Sequence, residues 1–317
     1  MATQNIDSLV GGAGGQDALP RNLSHDIWQD ALEQAVVPRL AKSHPVILGE
    51  NTIPTLTKRP AASIIGEGEN KKQSDLQIGS KSFRPIKAVV GLEFTMEAVE
   101  TNPVNVLEQL AAEASGALAR QIDLAVIHGR QASDGAQLSG QEYITQNAIE
   151  IEIPEPEKVD QAVWEGYSLI SESDNSFNGF AADPRFSAFV GNARDEQGRR
   201  MYPEIGMGGS GLSTFNGLPV AVAKTVSGRV DASEDTGIMA IGGDWDAVRF
   251  GRALDIPLRR IEYGDPLGNG DLQRRNSIAF IAEIMFGWAI MDDTAFVTYM
   301  KPAAPGGSTG GDTPLGR

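Results

Sequence analysis

Residues 206–211 read Gly-Met-Gly-Gly-Ser-Gly, a G-x-G-x-x-G spacing. Set between a strand and a helix, that spacing cradles a dinucleotide pyrophosphate on backbone N–H groups. The flanks do not supply that context. Tyr202-Pro203-Glu204 is a poor strand and Leu212-Ser213-Thr214-Phe215-Asn216-Gly217 a poor helix, so the spacing predicts a flexible loop. The three histidines, His25, His44 and His128, are scattered without metal-ligand spacing, and no G-x-S-x-G elbow accompanies them. There is no cysteine, which excludes disulfides, thiolate zinc and cysteine nucleophiles and fits a reducing compartment. Asp265, Asn269 and Asp271 could crowd oxygens around calcium, but their spacing departs from an EF-hand loop and turn chemistry accounts for them. Glu97 with Glu100, and Glu108 with Glu113, stand at near-helical spacing that could serve acid–base work. They read better as a solvated or partner-facing acidic surface. No catalytic residue, no cofactor-binding residue and no metal ligand is therefore expected, and no cofactor.

The chain around these residues has 317 positions, 41% hydrophobic and 22% charged, so one elaborate domain or a few small ones are expected to fold. No apolar run approaches the ~18 residues that cross a bilayer, and the N-terminus lacks a basic, then apolar, leader, so no membrane association or export is expected. The net charge of −15 removes any global attraction to nucleic acid phosphates.

Patterning then gives an order of elements. Residues 1–20 and the tail from Lys301 are Gly-rich, polar sequence that cannot build a core and would need a neighbour to become ordered. From Ser24, Ile27, Trp28, Ala31, Leu32, Ala35 and Val36 recur at helical spacing, and Pro38 predicts a stop. Residues 46–100 carry β-type segments on either side of a polar tip at 66–75, which predicts a long hairpin. Its arms, at 55–63 and 76–87, are thin in apolar residues; an isolated hairpin of that kind is marginal in water, so it should lie on another molecule. Asn102 and Pro103 open the strongest signal, an apolar stripe from Val104 through Val126 closed by Gly129, a helix of roughly 40 Å. Further helices are expected at 155–173 and from Asp183-Pro184 to about Asn192, with strands at 218–223, 237–242, 253–262, 276–286 and 294–300.

Five segments in this order resemble the major capsid proteins of tailed double-stranded DNA bacteriophages, the Hong Kong 97-type fold. Lys71-Lys72-Gln73-Ser74-Asp75, followed by Val89-Val90-Gly91-Leu92-Glu93-Phe94, resembles the family's extended loop returning to the body. Gln121-Ile122-Asp123-Leu124-Ala125-Val126-Ile127-His128-Gly129 is similar to the end of its spine helix. Gly179-Phe180-Ala181-Ala182-Asp183-Pro184-Arg185 resembles its axial domain, as do Gly217-Leu218-Pro219-Val220 and Gly242-Gly243-Asp244-Trp245. Phe286-Gly287-Trp288-Ala289-Ile290 and Ala295-Phe296-Val297 resemble its closing strands.

The resemblance implies an α+β chain of the Hong Kong 97-type capsid fold. Its expected division is an N-terminal arm (1–45), an extended β-hairpin loop (46–92), a peripheral domain (93–150 and 256–300) with a spine helix at 103–128, an axial domain (151–255) and a flexible tail (301–317). It implies a non-enzymatic shell subunit that assembles with itself into hexamers and pentamers of an icosahedral head. That head encloses genomic DNA without specific binding, works with portal, scaffolding and decoration or minor capsid proteins, and is built in the host bacterial cytoplasm. The short stretch ahead of the hairpin implies a separate or dispensable scaffold, with mature subunits starting at or next to Met1. In the family's namesake a hairpin lysine, matched by Lys71 or Lys72, is joined to a neighbour's asparagine with help from a buried glutamate. Here Leu254-Asp255-Ile256-Pro257-Leu258 offers no glutamate before Glu262, so no covalent linkage is expected. An encapsulin-type bacterial compartment shell and, more remotely, a dinucleotide-dependent enzyme are the alternative readings.

Charge is segregated along the chain. Lys58, Arg59, Lys71, Lys72, Lys81, Arg84 and Lys87 face only three acids between 58 and 87, whereas Glu93, Glu97, Glu100, Glu108 and Glu113 occupy 88–119 with no basic residue. Unrelated solvated faces would look the same; combined with the resemblance, the pattern leads to the expectation that these basic residues meet these glutamates on a neighbouring subunit.

Overall fold

The computed structural model describes residues 21–301 except positions 59, 68, 69, 72, 75, 76, 102, 204 and 206–211. The G-x-G-x-x-G stretch, Arg59, Lys72 and both chain ends lie outside the described residues. In chain order the strands are β1 (Lys42–Ser43), β2 (Asn51–Lys58), β3 (Gln77–Phe83), β4 (Ile86–Thr95), β5 (Ile149–Glu152), β6 (Gly179–Ala182), β7 (Thr214–Phe215), β8 (Leu218–Val222), β9 (Ile238–Gly243), β10 (Val248–Ile261), β11 (Ser277–Ile290) and β12 (Phe296–Met300). They form a four-stranded sheet in the order β1-β10-β11-β4, a six-stranded sheet in the order β5-β12-β9-β6-β8-β7, and a two-stranded ladder of β2 and β3.

β10 and β11, 14 residues each, run antiparallel from Val248 opposite Ile290 to Ile261 opposite Ala279. The register slips twice, and the second slip, between Ile256 and Arg259, brackets Pro257, which has no N–H to give to the ladder. One face of this sheet is covered by the helix Pro103–Asp123, whose Leu110, Ala114, Leu118 and Ile122 are buried at helical spacing. The helix Arg21–Gln34 packs beside it through Ile27, Ala31 and Ala35; alanines at the contact let the two backbones approach closely. After Asp123 the long helix widens into one π turn, Leu124–His128, and ends on Gly129, whose φ of 63° suits glycine. Pro38 does not end the first helical region as expected. The chain breaks at Ala35 and resumes as a short helix, Val36–Leu40, with Pro38 in its first turn, where an N–H has no intrahelical partner to lose.

A second core lies under the helices Val159–Glu172 and Pro184–Gly191, where Ile170, Phe186 and Val190 meet Phe180 and Tyr299 of the six-stranded sheet. Backbone pairing runs across several of the expected divisions. β4 crosses position 92 because it pairs along its length with β11, and β10 crosses 255 for the same reason. β12, assigned by sequence order to the peripheral unit, pairs with β5 and β9 in the other sheet. The paired part of the hairpin is also shorter than its apolar pattern implied, running only from Asn51 opposite Phe83 to Lys58 opposite Gln77.

Candidate assembly surfaces

The frame that aims these elements rests on buried polar side chains. Asp123 is fully buried, and its carboxylate accepts the Val36 N–H at 2.9 and 3.1 Å, the Val37 N–H at 3.0 Å and the Thr225 hydroxyl at 2.7 Å. It thereby caps the helix Val36–Leu40, whose own N-cap, Ala35, has no side-chain acceptor. Burial pushes this carboxyl up to about 6 against the pull of those donors. One turn on, His128 points its Nε2 at the carbonyls of Thr225 (3.1 Å) and Val226 (3.0 Å), which makes that nitrogen the protonated one. Burial lowers this imidazole to about 4, so it is neutral near pH 7. Between them the two residues clamp the turn Lys224–Ser227 of the six-stranded unit to the end of the long helix. Asp183 does similar work at the helix Pro184–Gly191. It accepts the Arg185 N–H at 2.8 Å and the Ser227 hydroxyl at 2.5 Å, and its Oδ1 also meets the guanidinium of Arg229 at 3.4 Å. Oxygens used in this way position backbone. Among the described residues no three His, Cys, Asp or Glu side chains gather as a metal-ion site.

The hairpin is fixed only at its base. Phe83, Ile53, Val46 and Ala289 form a small separate core. Gly287 makes room for it, since a Cβ there would come within 2.9 Å of the Phe83 ring. Lys81 Nζ pairs with Glu142 at 2.7 Å and Asp293 at 3.6 Å, while Trp288 Nε1 donates to the Glu142 carbonyl at 2.7 Å and so holds that acid in place. Farther out, Ile78 is 67% exposed and Ile64 fully so.

The structure divides the twelve residues expected at subunit contacts. Lys81 is used within the chain as above. Lys87 pairs with Glu283 at 2.5 Å, and Glu93 with Arg275 at 2.9 Å. Arg84 reaches Glu50 at 3.4 Å while staying largely exposed, and Glu97 accepts from Asn276 at 2.7 Å. Lys71, Glu100 and Glu113 are exposed. Arg59 and Lys72, and the side chains of Lys58 and Glu108, lie outside the described residues. Asp271 caps the helix Leu272–Arg275 by accepting the Arg274 N–H at 3.1 Å, in keeping with its reading as a turn residue.

Two features escaped the sequence reading. Glu283 is a buried acid in the middle of β11; the signal was a lone charge inside an apolar strand run. Trp164 and Tyr167 are 57% and 44% exposed, and their positions on the helical wheel, off the stripe of Val159, Ala162, Val163 and Ile170, carried that information.

Comparison with known proteins agrees with this architecture. The sequence pattern of the phage capsid family matches residues 15–300. A relative named "Probable major capsid protein gp17", from Mycobacterium phage D29, is 23% identical over 293 residues, 89% of each chain. A solved structure from Gordonia phage Cozz superposes with a TM-score of 0.78 at 52% identity, covering 86% of this chain and 87% of that one. One from Mycobacterium phage Ogopogo gives 0.73 at 33%, covering 84% and 92%. The fold extends to a structure named "Capsid of empty GTA particle computed with C5 symmetry", with a TM-score of 0.61 at 14% identity over 85% and 90% of the two chains.

Proposed function

The chain belongs to the phage capsid family and is a major capsid protein, a non-enzymatic component of the virion shell; from that premise we propose that its working form is a closed ring of six or five copies. Nothing in the comparisons supports the compartment-shell or dinucleotide-enzyme alternatives. The observation that carries the ring reading is the uncovered hairpin, whose exposed Ile64 and Ile78 need apolar surface that this subunit does not provide. In this reading the unit built on the four-stranded sheet is peripheral and the one built on the six-stranded sheet is axial. The shell holds double-stranded DNA without specific contacts, assembles in the host bacterial cytoplasm, and meets portal, scaffolding and decoration proteins. Negative-stain microscopy and native mass spectrometry of the purified chain should show rings or shells. A folded monomer that never assembles, even with its scaffold, contradicts the proposal.

Within that reading the hairpin crosses to a neighbour and sets its basic residues Lys58, Arg59, Lys71, Lys72 and Arg84 against Glu97, Glu100, Glu108 and Glu113. Each exposed pair contributes only ~0.2–1 kcal/mol, yet repetition at every contact sets register and assembly rate. Arg84→Glu should slow assembly, and Glu113→Lys in the same chain should restore part of it, with 1 M salt masking both effects. Lys87 is the wrong residue for this test, because its reversal would leave Glu283 beside a like charge. Because Leu254-Asp255-Ile256-Pro257-Leu258 offers no glutamate, boiled particles should run as single chains on a denaturing gel.

A further inference from the structure

The helix Val159–Glu172 presents to solvent one face that its core does not explain. Asp160, Trp164 and Tyr167 follow one another at i, i+4 and i+7 and therefore share a face. The two rings meet edge to face with centroids 5.5 Å apart, and Tyr167 in turn leans on Phe177 at 6.2 Å, which holds the pair rigid. Exposed aromatics fixed in this way, beside an acid, are the anchor type that a protein interface buries at its centre, and they suit a cationic partner that can lie over the indole face.

The same unit carries a fitting counterpart. The helix and the turn ahead of it hold Glu155, Glu157, Asp160, Glu165 and Glu172 against the single basic Lys158. Arg194, Arg199 and Arg200, followed by a partly exposed Met201, project from the loop after the helix Pro184–Gly191. Arg199 is spent on Asp195 at 2.8 Å, and the Arg194 guanidinium donates to the carbonyls of Gly191 and Ala193. Arg200 is exposed at the base of the loop, where its backbone bridges to Arg194, beside Met201. Tyr202 packs tilted against Phe215, with centroids 5.5 Å apart, and anchors the loop to β7. A ring of identical copies closes through two different, complementary patches on each copy, and this domain carries an acidic aromatic patch and a basic apolar one.

We propose that, in the ring inferred above, the Asp160–Trp164–Tyr167 face of one subunit receives the Arg200–Met201 loop of the next copy. The guanidinium of Arg200 lies on the Trp164 ring and pairs with Asp160. Because every copy supplies both halves, reversing one charge breaks all the contacts and reversing both restores them.

The test compares the wild-type chain with Asp160→Arg, Arg200→Asp and the double variant, each checked for native circular dichroism, by native mass spectrometry. Each single variant should lose at least about ten-fold in ring yield, roughly what 1.4 kcal/mol does to an equilibrium, and the double variant should regain most of it. Trp164→Phe, which keeps a ring, should assemble better than Trp164→Ala. Single variants that assemble as wild type overturn the proposal, as does a folded double variant no better than either single. A wild-type chain that forms no ring under any condition instead removes the shell reading on which this rests.

Discussion

The junction around Asp123 and the hairpin are both points where distant parts of the chain meet, and they are held by opposite means. At the junction a buried carboxylate and a buried imidazole satisfy backbone groups of two other segments, so no partner can be withdrawn without stranding a polar group away from water. At the hairpin a few apolar side chains and ion pairs fix the base, while Ile64 and Ile78 beyond it face solvent. The first arrangement gives the subunit one shape. The second leaves a projecting element whose free energy is completed outside the subunit.

The contrast breaks if Asp123 is dispensable. Asp123→Ala should cost about 3–5 kcal/mol, the penalty for stranding buried donors, in urea unfolding of unassembled subunits. A loss below about 1 kcal/mol would show that the junction is no more exacting than the hairpin. His128 sharpens the same side. Its folded value, about 4, lies below the ordinary 6.5, so its contribution is intact above 6.5 and is lost as pH falls from there toward 4. Asp123 has the opposite sign, being raised from 3.8 to about 6, and favours the folded state increasingly on acidification. Replacing His128 by Gln, which keeps an N–H donor, should remove the His128 contribution alone and flatten the fall in stability by roughly 3 kcal/mol at most.

The hairpin side should respond more weakly and in a different observable. Gly287→Val presses a side chain against Phe83 and should cost about 1–3 kcal/mol, seen mainly as faster protease cleavage near residues 59–76 with the melting temperature little changed. Lys81→Ala should cost no more than ~1 kcal/mol and lose even that at high salt, with hydrogen exchange at Ser82 and Phe83 as the readout.

The sequence was legible where periodicity and caps agree. Pro103, the apolar stripe and Gly129 marked the long helix, and Asp183-Pro184 marked both the cap and the start of a second one. It was not legible where the partner is remote. Nothing local to Val36 shows that its N–H finds an acceptor on Asp123, so a helix that breaks at Ala35 and a second one that carries Pro38 looked like one that stops at Pro38. The sheet to which a strand belongs was hidden for the same reason, since β12 follows β11 closely in sequence yet pairs in the other sheet. Of the candidate contacts, charge pattern alone could not separate Lys81 and Lys87, spent inside the subunit, from Arg84, which stays largely exposed.

The paired strands β10 and β11 have a mechanical consequence. A pull directed along their length loads all the rungs between Val248–Ile290 and Ile261–Ala279 at once, in shear, so many hydrogen bonds must yield together. A pull across the pair would open the same rungs one after another. The links from β9 into β10 and from β11 into β12 both leave the ladder at its Val248–Ile290 end, so tension from the six-stranded sheet draws the two strands the same way and leaves the rungs between them unsheared. Only drawing those two links apart would open the ladder, rung by rung from that end.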